Sequence, residues 1–163
     1  MVYILMGVSG SGKTLIGQKL SNYLGIPFYD GDDFHPDSNI KKMKNGHPLN
    51  DDDRIPWLKI LARKICEWNN GGAVLACSAL KKSYRDLLRA ENPDDRICFI
   101  YLRGSFPLIA ERLSGRPEHF MPDELLESQF KALEEPEGAI IVSIDQPPDE
   151  VVQQIVNHLK NIS

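Results

Sequence analysis

The octet Gly7-Val8-Ser9-Gly10-Ser11-Gly12-Lys13-Thr14 follows an apolar run, Val2 to Val8, and leads into a stretch where Ile16, Leu20, Tyr23 and Leu24 fall at helical spacing. It satisfies GxxxxGKS/T in the context the motif requires, between a buried strand and an amphipathic helix. Glycines let such a loop curl until successive backbone N–H groups point inward at phosphate oxygens, and the following helix adds its positive end. The expected phosphate cradle is therefore Gly7, Ser9, Gly10, Ser11 and Gly12. Lys13 is expected to neutralise the β and γ phosphates, and the Thr14 hydroxyl to ligate Mg²⁺.

A strand that reads as a continuous apolar run belongs in a parallel sheet covered on both faces. Similar runs occur at Pro27 to Tyr29, Ala73 to Cys77, Ile97 to Leu102 and Ala139 to Ile144, five strands in all. Helical periodicity fills the gaps, in Leu58, Leu61, Ala62 and Ile65, in Phe106, Ile109, Ala110 and Leu113, and in Val152, Ile155, Val156 and Leu159. Alternating strands and helices predict an α/β fold, a five-stranded parallel sheet flanked by helices, with ligands at the carboxyl ends of the strands. The 163 residues, 42% hydrophobic and 26% charged, suit one domain, and no internal repeat or low-complexity linker divides them. A net charge of −4 and a pI near 5.6 provide no basic footprint for nucleic acid. The N-terminal apolar run lacks a preceding basic region and is cut short by glycine, so neither a signal peptide nor a membrane span is expected. Cys66, Cys77 and Cys98 lack metal-site spacing and lie in apolar stretches, which reads as buried free thiols in a reducing cytoplasm.

A phosphate cradle is shared by switches, motors and small-molecule kinases. DxxG and NKxD, expected of a guanine-nucleotide switch, are absent. After the second strand, Asp30, Asp32, Asp33 and Asp37 gather with His35 within eight residues. If that strand lies in the same sheet as the first, its carboxyl end opens on the rim of the cradle. Small kinases need one carboxylate to orient, or deprotonate, the attacking hydroxyl and another to hold waters of the metal shell. Asp30 and Asp32, two apart on an extended segment, can point to one side together, with Asp32 as the base and Asp30 holding Mg²⁺ through water. Asp33 then faces away and Asp37 caps a helix beginning near Ser38. His35 is open between a structural hydrogen bond and substrate contact.

The segments GVSGSGKT, GDDFHPDSNIKKMKNGHPLNDDDRIPWL, CSALKKSYRDLLR and HFMPDELLESQFKALEEP, in that order over roughly Met1 to Pro136, resemble the thermoresistant type of gluconate kinase. The second segment is the distinctive one. The resemblance implies a nucleoside-monophosphate-kinase-like fold with a lid, and ATP-dependent phosphorylation of D-gluconate at its 6-hydroxyl. It also implies a substrate-binding segment at about 30–57 and a lid at about 114–121. Such an acid needs a cation for its carboxylate. Arg54 offers a planar fork for that purpose, its rival role being an ion pair with Asp51, Asp52 or Asp53. By the same resemblance Lys81 and Arg85 border the substrate or the transferred phosphoryl group, and Gln129 meets sugar hydroxyls unless it is a helix-surface residue.

In related small kinases the first arginine of the lid packs on adenine and the second reaches the phosphates on closure, roles that fall here to Arg112 and Arg116. This lid departs from the expected pattern by placing Pro117 and Glu118 where a more basic, glycine-containing stretch is usual, and the connection after Pro136 is shorter than usual. The alternatives are a shikimate-type or other small polyol kinase on the same fold, and a nucleotide-dependent switch without turnover. A homodimer is left open by the sequence.

Overall fold

The computed structural model describes residues 1–115 and 123–162. Five strands, β1 (Val2–Met6), β2 (Phe28–Asp30), β3 (Ala73–Ala76), β4 (Ile97–Arg103) and β5 (Ile140–Ser143), form one sheet in the order β2-β3-β1-β4-β5. Every pairing is parallel. The helices are α1 (Lys13–Leu24), α2 (Asp37–Lys44), α3 (Asp51–Trp68), α4 (Lys82–Arg89), α5 (Phe106–Ser114), α6 (Asp123–Ala132) and α7 (Pro148–Ile162). The strands sit where the apolar runs predict, with altered ends. β1 stops at Met6 because Gly7 takes a φ of 151° and turns the chain away, and a Cβ there would lie 3.0 Å from the Leu102 carbonyl oxygen. β2 begins one residue after Pro27, whose carbonyl accepts from the Val74 N–H at 2.9 Å, and it reaches on to Asp30. β5 spans Ile140–Ser143, so Ile144 lies beyond the strand.

Alternation along β1 divides the core into two layers. Leu5 packs with Ile16 and Leu20 of α1, Ile109 of α5 and Ile155 of α7. Ile4 and Met6 face the opposite way, onto Leu58, Leu61 and Ile65 of α3 and Leu88 of α4. Burying each such side chain contributes about 1.5–3 kcal/mol, enough to fix which helix lies on which face. Among the described residues no helix is long and apolar enough to cross a membrane. Cys77 is buried as expected, but Cys66 is exposed: it follows Ile65 on α3 and so falls off the buried stripe.

The start of α3 is fixed by a signal that the acidic run conceals. The Asn50 side chain accepts from the Asp53 N–H at 2.8 Å, and the Asp53 carboxylate accepts from the Asn50 N–H at 2.9 Å, a reciprocal capping box. Asp51, Asp52 and Asp53 are thereby the first helical turn, where their charge complements the helix dipole. The α2 helix is tied to this turn by the Lys42–Asp53 ion pair at 2.5 Å and by the Asn39 side-chain amide, which donates to the Asp53 carbonyl at 2.9 Å. Asp37 is the first residue of α2 rather than its cap; Pro36 occupies the capping position.

Candidate active site

Because every strand is parallel, β1, β2 and β3 all end on one rim, although β3 separates β2 from β1. That rim holds a cleft of about 670 Å³ whose lining includes Ser9, Gly10, Gly12, Lys13, Thr14, Asp30, Asp32, Cys77 and Ser78. The loop after β1 and the acidic stretch after β2 therefore share one cavity. Gly12 enters α1 with φ 93°, a left-handed conformation that turns the first helical N–H groups toward the cleft. The Lys13 ammonium donates to the carbonyls of Gly7 and Val8, both at 3.0 Å. Burial pulls its pKa below the ordinary 10.5, a tendency that Asp32 and Asp30 oppose. A partly buried ammonium whose hydrogen-bond acceptors are two neutral carbonyls favours an anion beside it.

The acidic stretch adopts a different local structure from the extended one expected. Gly31–Phe34 is a single 3₁₀ turn, capped by the Asp30 carboxylate, which accepts from the Asp32 N–H at 3.0 Å. One turn of helix, not strand alternation, brings Asp30 and Asp32 to the same cleft, while exposed Asp33 is left off its lining. Desolvation raises the pKa of Asp30. Asp32 is held below the usual 3.8 by His35 and by the Lys13 ammonium, and its side chain remains 83% exposed to the cleft.

His35 does not reach the cleft lining. Its ring stacks on Trp57 with centroids 4.2 Å apart, and its Nδ1 lies 3.2 Å from the Asn39 side-chain amide nitrogen. If Nδ1 accepts from that amide, the proton sits on Nε2, which faces Asp32 Oδ1 at 3.8 Å, a polar contact too long for a hydrogen bond. The Trp57 indole N–H donates to the Gly31 carbonyl at 2.8 Å and so ties the acidic turn to α3. Asn39 and Trp57 are thus supporting residues: both fall in the family-like segment of the sequence, which gave neither a role, and the structure buries both.

Arg54 and Lys81 come together across α3 and the start of α4. Lys81 Nζ donates to both Asp51 oxygens at 3.1 and 3.0 Å, and Tyr84 donates its hydroxyl to Asp51. Arg54 lies 3.8 Å from Asp51 and 3.5 Å from the Tyr84 hydroxyl. Tyr84 and Lys81 hold the Asp51 carboxyl below its ordinary range.

Three other candidates stand apart from this arrangement. Arg85, expected against the substrate, is 3% exposed and donates to the carbonyls of Ala79 (2.7 Å), Leu80 (3.1 Å) and Glu134 (2.8 Å). Its fork is consumed by backbone acceptors in the loop before α4, where Ala79 holds a left-handed φ of 47°, and just beyond α6. Gln129 faces the cradle instead of open space for sugar hydroxyls: its carbonyl oxygen accepts from the Ser9 N–H at 2.7 Å and its amide donates to Ser9 Oγ at 3.0 Å. Arg112 is anchored to the Ile144 carbonyl at 2.5 Å, near the exit of β5. Arg116 and residues 116–121 of the expected lid lie outside the described residues.

The shikimate kinase family model matches residues 9–160. The chain is 46% identical to the thermoresistant gluconokinase of Escherichia coli strain K12, over 98% of this chain and 93% of that one. It is 50% identical to the thermosensitive gluconokinase of the same organism, over 83% of this chain and 73% of the relative. The solved structure of a gluconokinase from Sinorhizobium meliloti 1021 superposes with a TM-score of 0.90 at 41% identity, covering 99% of this chain and 92% of that one.

Proposed function

The chain belongs to the gluconokinase family, and from that premise we propose that it transfers the γ-phosphoryl group of ATP in line to the 6-hydroxyl of D-gluconate, giving 6-phospho-D-gluconate. The observation that carries the proposal is one cleft lined both by Lys13 with its glycine loop and by the paired carboxylates Asp30 and Asp32. The backbone N–H groups from Gly10 to Thr14 bind the phosphates, and Lys13 balances charge as it spreads over the transferring group. Asp32, kept ionised, accepts the hydrogen bond of the attacking hydroxyl and fixes its line of approach. A loose transition state needs orientation more than early deprotonation, so a weakly basic carboxylate suffices.

Mg²⁺ fits the oxygen donors present: the Thr14 hydroxyl would hold it directly and Asp30 through water, and the ion would neutralise the β and γ oxygens. Among the described residues there is no ready-made cluster of three or more His, Cys, Asp or Glu for a metal, so substrate phosphates would complete its shell. Arg54 and Lys81 are assigned to the gluconate carboxylate, Arg112 to the adenine, and Arg116 to the phosphates. The substrate segment is assigned to 30–57 and the lid to 114–121. Three free cysteines suit a cytoplasmic setting.

A coupled ADP-release assay with D-gluconate, shikimate and nucleoside monophosphates tests the proposal. Sustained turnover is expected with gluconate; equal rates on all three acceptors would reject it.

A further inference from the structure

Lys81, Tyr84 and Arg54 converge on a single carboxylate, and that carboxylate belongs to the protein. Lys81 Nζ spans both Asp51 oxygens, the Tyr84 hydroxyl donates to one of them, and the Arg54 guanidinium stands 3.8 Å away. The donors come from two separate elements, α3 and the beginning of α4, with Lys81 and Arg54 30 and three residues from Asp51. The set has the chemistry of a carboxylate receptor: a point cation, a planar cation and a neutral hydroxyl aimed at one group. None of the four residues lines the cleft itself, but the chain ties two of them closely to it. Lys81 follows the cleft-lining Ser78 by three residues, and Arg54 precedes by one turn the Trp57 whose indole holds the acidic turn.

We propose that Asp51 is an internal stand-in for the sugar acid's carboxylate, occupying the Lys81–Tyr84–Arg54 receptor until the substrate displaces it. This rests on the gluconate assignment above and deepens it. The Tyr84 hydroxyl has one proton to donate and Lys81 spans both Asp51 oxygens, so a substrate carboxylate that takes these donors displaces Asp51 from them. Asp51 is 58% exposed, so it can rotate into solvent on leaving. The receptor is thus prevented from holding its two cations uncompensated, and entry is restricted to anions able to outcompete an intramolecular carboxylate. Neutral sugars, which offer no compensating charge, gain nothing from displacing it.

The sign of one measurement tests this. The dissociation constant of D-gluconate is measured by titration calorimetry on the wild-type protein, on Asp51→Asn and on Asp52→Asn. Asp52 is exposed, carries the same charge one residue away and makes none of these contacts, so it reports the general effect of removing a negative charge. Asp51→Asn is expected to tighten gluconate binding about two- to five-fold, the scale of an exposed ion pair, while Asp52→Asn shifts it less. Asp51→Ala gives the same reading if the amide disturbs the helix start. Unchanged or weaker binding in the Asp51 variants, or equal tightening in Asp52→Asn, would overturn the stand-in role. A wild-type protein that binds no gluconate would defeat the gluconate assignment along with it, whereas wild-type binding with unresponsive Asp51 variants defeats the stand-in alone.

Discussion

At the residue scale two features act in the same direction on Asp32, the proposed base: His35 and Lys13 keep it charged, and it lines the cleft at the 3₁₀ turn. Replacing it by Asn preserves shape and removes the acceptor charge, so Asp32→Asn is expected to lower kcat about 100-fold or more while the dissociation constant for ATP stays within about two-fold of wild type. Its pKa also makes a stability prediction. A carboxyl whose folded value lies below its unfolded 3.8 contributes stability that is complete above pH 3.8 and is lost as pH falls through the lowered value. Asp30, raised by desolvation, acts in the opposite sense: its stabilising contribution is present below 3.8 and lost as pH rises through its folded value. Thermal melts should therefore show wild type ahead of Asp32→Asn at neutral pH, with the gap closing on acidification. His35→Phe, which keeps a ring against Trp57 but removes the partner of Asp32, should move the acid limb of kcat/KM upward toward 3.8.

Among the elements, α6 and the chain just beyond it act as a brace between the cradle and the start of α4. Gln129 holds Ser9 at one end, and at the other Glu134 donates its N–H to the Leu80 carbonyl at 2.8 Å and accepts the Lys82 N–H on its side chain at 3.1 Å. Arg85 locks the second junction through its three carbonyls. Arg85→Met removes the donors while retaining much of the packing volume, and leaves buried acceptors unsatisfied. A loss of about 2–4 kcal/mol in urea unfolding is expected, with the defect appearing in the midpoint more than in the KM for gluconate. Gln129→Ala frees one neutral and one backbone-linked hydrogen bond at Ser9, and the KM for ATP should rise about five-fold, as loss of roughly 1 kcal/mol implies. Neither role was legible from the sequence. A charged residue at helical spacing reads as surface, and the three backbone carbonyls that accept from it make Arg85 an exception; Gln129 reaches a partner 120 residues away, a separation no local pattern encodes.

For the whole molecule, the cradle was legible because its chemistry is local: glycines, a lysine and a following helix specify the loop within eight residues. The strands were legible as apolar runs, but their order was not, since periodicity names a buried strand and not its neighbour. The insertion of β3 between β1 and β2 sets the width of the cleft: adjacent strands stand about 4.8 Å apart, so β1 and β2 are roughly two such spacings apart. That separation leaves a site about 670 Å³ in volume between the cradle and the acidic turn, room for a triphosphate tail and a small hydroxylated acid. The pairing of Asp30 with Asp32 was anticipated for the wrong local reason, extension instead of a 3₁₀ turn: Asp30 is the extended cap of that turn, its carboxylate accepting from the Asp32 N–H, and both side chains line the cleft. The most direct measurement of the central claim is a ternary structure with a nonhydrolysable ATP analogue and D-gluconate. The account predicts the 6-hydroxyl about 2.6–3.2 Å from an Asp32 carboxylate oxygen and in line with the γ-phosphorus. Gluconate bound with that hydroxyl turned away from Asp32, or the triphosphate seated off the Gly7–Thr14 loop, would contradict it.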